Sequence, residues 1–275
     1  MKKIVLTEIF FILSAFSLLT AQNNQPDIPA SLGKLFGRLK INYNSSERLA
    51  INDSIRVIIE GYASSDTVFN HRFQNLRYLG QVTSPDSLLK IITWNLILED
   101  GNNRYFCYLI RRLQKSTPVK VYNLTGSYRE EPVRSDTIYS PSDWYGALYY
   151  DIKPFQLNDQ TNYVILGIDY GNSFVTRKII DVLSFNSKGD IVLGMKCFND
   201  GKETKFRVVF EFASTAVMSL RFNSDSSIVF DHLAPFLPEY KDNRQFYGPD
   251  FSFDSYDFEN GMWRFKTNVD VRKKE

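Results

Sequence analysis

Along residues 163–233, short apolar runs alternate with polar turn signals, a pattern that predicts a meander of antiparallel strands. The runs are Tyr163–Asp169, Phe174–Phe185, Ile191–Phe198, Lys205–Phe212, Val217–Phe222 and Ser227–Leu233. Between them stand Tyr170-Gly171-Asn172-Ser173, Asn186-Ser187-Lys188-Gly189-Asp190, Asn199-Asp200-Gly201-Lys202 and Asn223-Ser224-Asp225-Ser226. Gly, Asn, Asp and Ser supply the left-handed conformations and local side-chain hydrogen bonds that turns require. Lys205–Phe212 alternates most clearly. Phe206, Val208, Phe210 and Phe212 share one face, while Lys205, Arg207 and Glu211 take the other, with Val209 the apolar exception. A strand of this kind is expected to be half-buried, its charged face in water.

Upstream, Leu88–Glu99 sets Ile92, Trp94, Leu96 and Leu98 on one face, and Asp100-Gly101-Asn102-Asn103 reverses the chain into Arg104–Leu113. This reads as a hairpin. Val119–Leu124 and Trp144–Ile152 are further strands, and a last one lies near Met262–Val269. Gly126–Asp143, with Pro132 and Pro141, reads as a long loop or a domain-scale connection, and Pro235–Asp250 as a second loop. Nearer the N-terminus the spacing becomes helical. Ala30–Leu39 aligns Leu32, Leu35, Phe36 and Leu39 but carries two weakening glycines. Ser46–Glu60 gathers Leu49, Ile55, Ile58 and Ile59, with Ser45 or Ser46 as cap and Gly61 expected just past its end.

The fold class that follows is α+β and mostly β: antiparallel sheets, sandwich-like or alternatively propeller- or barrel-like, behind a short helical N-terminal portion. The expected division is a signal peptide at 1–21, a helical portion at 22–67 and a β-rich domain at 68–275. The leader is read from the basic Lys2-Lys3, the apolar Ile9–Leu19 and a small residue, Ala21, before Gln22. Glu8 and Leu19 are imperfect for such a leader, and an uncleaved anchor is the alternative. The 275 residues carry a net charge of +2, which gives no reason to expect a nucleic-acid partner. Export makes a disulfide between Cys107 and Cys197 chemically permissible, and two buried thiols are the other reading.

Catalytic motifs are sparse. There is no G-x-S-x-G elbow, no H-E-x-x-H, no Walker loop and no G-x-G-x-x-G. The two histidines are His71 and His232; His232 follows Asp231, but neighbours on a strand point to opposite faces, so they form no dyad. No cofactor and no metal is expected. The remaining candidates lie in the aromatic and acidic segment Phe246–Phe265, where Asp250, Asp254, Tyr256, Asp257 and Trp263 are candidate ligand-binding residues. Rings beside carboxylates suit the faces and hydroxyls of sugars. A flap closing over the sheet explains the same rings, and calcium ligation fits only loosely because the D-x-[DN]-x-[DN]-G spacing is missing. Asp169 is read as a turn acid and Glu211 as half of a solvated pair with Arg207.

Several phrases form a recognisable set: Trp144–Tyr150, Thr176–Ile179, Phe210-Glu211, Ser219–Arg221, Val229–Leu233 and Phe246–Asp250, together with Ser84-Pro85-Asp86 and Ile92–Asn95. From about Ser84 onward the chain resembles a family of uncharacterised exported proteins from Gram-negative bacteria. The resemblance implies an envelope location, periplasmic or secreted, and carries no reaction with it. The function expected is a non-catalytic binding or scaffold protein whose partner is an envelope protein or glycan. The rival is an envelope glycan hydrolase acting through paired carboxylates.

Overall fold

The computed structural model describes residues 27–113, 118–131 and 133–272. The expected leader and Lys273-Lys274 of the basic tail lie outside these residues. Two helices come first. α1 (Ile28–Ile41) is capped by Asp27, whose side chain accepts from the Ala30 amide at 3.2 Å. α2 (Ser45–Ala63) is capped by Asn44, which accepts from the Glu47 amide at 3.1 Å. Gly61 does not end α2: the helix runs on to bury Tyr62 and Ala63, and that packing outweighs the glycine's low propensity. No helix among the described residues is long and apolar enough to cross a membrane.

The strands build three sheets. The first contains β1 (Gly80–Thr83), β2 (Leu89–Ile97), β3 (Asn103–Arg111) and β4 (Lys120–Ser127), in that order. The second is formed by β5 (Leu148–Leu157), β6 (Gln160–Asp169), β7 (Val175–Phe185) and the short β8 (Ile191–Leu193), which pairs with β7. β9 (Phe198–Asn199) and β10 (Thr204–Lys205) open the third sheet; β11 (Val208–Ala213) returns to the second, as the edge strand beside β7. β12 (Leu220–Ser224), β13 (Ser227–Pro235), β14 (Tyr247–Glu259) and β15 (Met262–Lys266) complete the third. Pairing is antiparallel except between β15 and β9.

These elements stack as four layers: helices, first sheet, second sheet, third sheet. Leu32, Phe36, Ile55 and Ile59 of the helices meet Ile92, Trp94, Phe106 and Tyr108 on the outer face of the first sheet. Trp94 is fully buried there and donates its Nε1–H to Asn52 at 2.8 Å, which satisfies both groups. The inner face of that sheet, with Ile91, Cys107 and Leu109, meets Ile165, Ile179 and Leu183. The opposite face of the second sheet, with Val164, Leu166, Ile180 and Val182, meets Ile228, Phe230, Tyr256 and Trp263 of the third. β6 and β7 are therefore covered on both faces, which is why their sequences read as continuous apolar runs.

The double cover corrects the reading of Lys205–Phe212. It is two strands in two sheets, β10 and β11, with Phe206 and Arg207 at the crossing. Arg207 is not solvated but fully buried, and Glu211 pairs with Arg177 at 2.7 Å rather than with Arg207. The face of β11 that carries Val209 and Glu211 lies beneath a long segment, residues 128–131 and 133–144, and two arginines fasten that segment down. Arg177 donates to the carbonyls of Arg129 (3.0 Å) and Glu130 (3.2 Å). Arg207 donates to the carbonyls of Arg134, Thr137 (2.8 Å) and Leu193 (3.0 Å), with its Nε 3.0 Å from Asp181. The segment is largely exposed on its outer side, but the carbonyls it turns inward must find partners, and the five donors of a guanidinium meet that need. The segment is a strap rather than a link between domains. Asp169 does serve the turn, accepting from the Gly171 amide at 2.9 Å, and also takes the Tyr105 hydroxyl (2.7 Å) and Arg177 (3.4 Å).

Cys107 and Cys197 are free, buried in different layers. Burial pushes both thiols far up, away from the reactive thiolate. Native protein is therefore expected to resist iodoacetamide, and denaturant to expose two alkylatable thiols by intact mass. Fewer than two after non-reducing denaturation would indicate a bridge.

Candidate functional site

At one edge the second and third sheets open into a groove of about 630 Å³. Its base is aromatic. Phe210 of β11 lies 4.6 Å from Phe230 of β13, between ring centres, and Phe230 stacks at 6.2 Å on Phe265 of β15. Phe230 is buried, while Phe210 and Phe265 are half-buried because the sandwich gapes here. Val133–Asp136 of the strap form one wall. Against the other stand His232 and Asp254, and Arg244, from a single 3-10 turn (Arg244–Phe246), lies near the rim with its guanidinium 4.2 Å over Tyr247.

The position of His232 follows from strand pairing. Phe230 faces Asp254 across the β13–β14 ladder, and His232, two residues along, shares their side. The register then breaks: Asp231 pairs with Phe253, but Leu233 pairs with Pro249, so Asp250-Phe251-Ser252 bulge out opposite His232. Asp250 steadies this bulge by accepting from the Ser252 amide (3.0 Å) and hydroxyl (2.7 Å). Those bonds hold the Asp250 carboxyl below its ordinary value. Phe251 sits at the tip with φ +71° and is 94% exposed.

His232 Nδ1 and Asp254 Oδ2 are 2.7 Å apart, and Asp254 Oδ1 accepts from the Asn268 amide at 3.0 Å. The carboxylate is 5% exposed and the imidazole 44%, so a buried acid orients a ring that reaches the groove. With Nδ1–H donated to Asp254, Nε2 is the acceptor nitrogen of the neutral ring, and no described residue bonds to it. Asp231 did not become its partner, as strand alternation requires; it accepts from the Ser219 amide at 2.7 Å. Glu211 is engaged by Arg177, and Lys205 by Asp200 (2.9 Å) and Glu203 (3.2 Å).

Of the five residues proposed from sequence, Asp254 enters the groove and Asp250 stands on the bulge beside it. Tyr256 and Trp263 are 3% and 1% exposed, their rings used between the second and third sheets against Phe198 and Phe155. Asp257 accepts from the Ser227 hydroxyl at 2.7 Å and pairs with Lys266 at 2.9 Å. The five do not converge. Sequence reasoning missed His232, Arg244 and the Phe210–Phe230–Phe265 base; the available signal was the i, i+2 spacing of Phe230 and His232 on one strand face. Among the described residues no three His, Cys, Asp or Glu side chains gather to hold a metal ion. Comparison with family models, with curated proteins and with solved structures gave no match.

Proposed function

We propose that this chain is a non-catalytic binding protein of the cell envelope, periplasmic or secreted, whose ligand is a glycan seated in the His232 groove. One observation carries the reading: the groove's carboxylates are bound to protein donors, while half-buried rings and the outer nitrogen of His232 are left to meet a ligand. Asp254 holds His232 and the Asn268 amide, Glu211 holds Arg177, and Asp231 holds the Ser219 amide. Paired-carboxylate hydrolysis asks instead for an acid and a second carboxylate, about 5–10 Å apart, both free to work on the sugar. The basic and apolar pattern of residues 2–19 supports export.

A panel of immobilised glycans, probed with wild type and His232→Ala, tests this. Wild type is expected to be retained by at least one glycan, His232→Ala to lose that retention with an unchanged melt, and neither to release reducing ends. Turnover of the bound glycan would give the hydrolase instead.

A further inference from the structure

The same groove indicates what kind of glycan it takes. We infer that it binds an uncharged saccharide, one ring face against Phe210 and Phe265 and one hydroxyl donating to Nε2 of His232. This inference rests on the binding reading above and deepens it.

Charge comes first. The lining carries three cations, Arg134, Lys205 and Arg244, and four carboxylates, Asp136, Glu211, Asp231 and Asp254. Two of the cations are already paired, Arg134 with Asp136 at 3.0 Å and Lys205 with Asp200 at 2.9 Å. Asp136 and Glu211 are likewise paired, with Arg134 and Arg177, so a polyanion would meet one uncommitted guanidinium, Arg244, against two carboxylates, Asp231 and Asp254. A glycan acid therefore gains little here, and a groove that selected acids would show an excess of free cations.

Hydrogen-bond polarity points the same way. Both oxygens of Asp254 are committed, so the acid orients Nδ1–H, and in the neutral ring Nε2 is then the acceptor. An unpartnered acceptor on a groove wall asks for a donor, which a hydroxyl supplies and a carboxylate or phosphate monoanion supplies poorly. The guanidinium of Arg244, 4.2 Å from the centre of the Tyr247 ring, offers donors on the same lining. A sugar hydroxyl both donates and accepts, so one ligand class matches both groups. The paired half-buried rings then suit the apolar C–H face of a pyranose. The volume, about 630 Å³, falls within the ~300–1,000 Å³ usual for small-ligand sites.

Titration calorimetry of the full chain against trisaccharides of glucose, galactose, mannose and N-acetylglucosamine, with trigalacturonate as the acidic probe, tests the inference. At least one neutral trisaccharide should bind, with an affinity that hardly changes between low and high salt. His232→Ala should weaken it about tenfold or more with an unchanged melt. In a series of monodeoxy analogues of that sugar, one analogue should lose as much against wild type as the substitution does, and lose nothing further against His232→Ala. Asp254 acts through His232 as a positioning residue, so Asp254→Asn should weaken the parent sugar while narrowing the difference between it and that analogue. Tighter, salt-sensitive binding of trigalacturonate would overturn the neutral class and leave the groove reading standing. Neutral binding indifferent to His232→Ala would overturn the role of Nε2. If neither kind of saccharide binds, the glycan reading itself falls and this inference with it.

Discussion

Above about pH 10 this protein is expected to unfold within roughly one pH unit. Tyr62, Tyr105, Tyr145, Tyr149, Tyr163 and Tyr256 are each no more than 5% exposed. Burial is the main cause that raises their hydroxyls, Tyr62 to about 12 and the others further. Carboxylates add to it: Tyr105 donates to Asp169 at 2.7 Å, Tyr145 to Asp181 at 2.8 Å and Tyr163 to Asp86 at 2.9 Å. An unfolded tyrosine gives up its proton near 10, so above that pH the unfolded chain binds fewer protons than the native one. The folded state then loses about 1.4 kcal/mol per pH unit for each such group, or about 8 for six. That is comparable with the whole stability of a typical domain, about 5–15 kcal/mol. Lys90 works in the opposite sense at lower pH. Burial brings its ammonium down to about 8, so between there and its ordinary value the native state is the less protonated and stability rises with pH. Denaturant melts from pH 7 to 11.5 should therefore rise gently past about 8 and fall steeply past about 10, with near-ultraviolet absorbance showing tyrosinate arriving together with unfolding. Tyr163→Phe should lessen the alkaline slope by about 1.4 kcal/mol per pH unit. Smooth ionisation of these rings near pH 10 in a protein that stays folded would refute the expectation.

The elements were legible where local pattern and layer agreed. The β2–β3 hairpin follows from alternation on both arms and the turn at Asp100-Gly101, and α1 forms despite Gly33 and Gly37 because Asp27 caps it and Leu32 and Phe36 find a core. What alternation cannot convey is which segment covers a face. Arg207 and Glu211 do lie opposite Val208 and Phe212, as their spacing requires, yet the cover over Arg207 arrives from Arg134 and Thr137, about 70 positions upstream. The same limit applies to the groove. His232 meets Asp254 across a ladder, 22 positions away, and the pairing is visible only once the register and the bulge at Asp250-Phe251-Ser252 are known. The aromatic segment Phe246–Phe265 was conspicuous, but Tyr256 and Trp263 are consumed between the sheets, and of its rings only Phe265, on the same face nearer the edge, reaches the groove.

Replacing Arg207 by Met is expected to cost about 3–5 kcal/mol, the range for breaking a buried ion pair from one side. Two losses combine. Asp181, with no exposure at all, keeps the Tyr145 hydroxyl but loses its countercharge, and burial already raises its carboxyl. The carbonyls of Arg134, Thr137 and Leu193 lose their donor as well. Asp181→Leu combined with Arg207→Met removes the stranded charge but not the orphaned carbonyls, so the double variant should recover only part of the loss. Arg207→Lys should fare little better than Met, because a compact ammonium cannot reproduce the guanidinium fork that spans Asp181 and the strap. Gly194→Ala strikes the clamp from the other side: the glycine holds φ +101°, and a Cβ there would collide with Nη2 of Arg207. The effect should be local before it is global. In hydrogen exchange, the amides of Tyr139 and Phe206, which bond Leu193 and Ser135, should lose protection ahead of β6 and β7. Because Val133–Asp136 also wall the groove, a loosened strap should weaken glycan binding at temperatures where the sheets remain intact. An Arg207→Met protein within about 0.5 kcal/mol of wild type, with Tyr139 and Phe206 protected as before, would show that the strap is held by something other than this arginine.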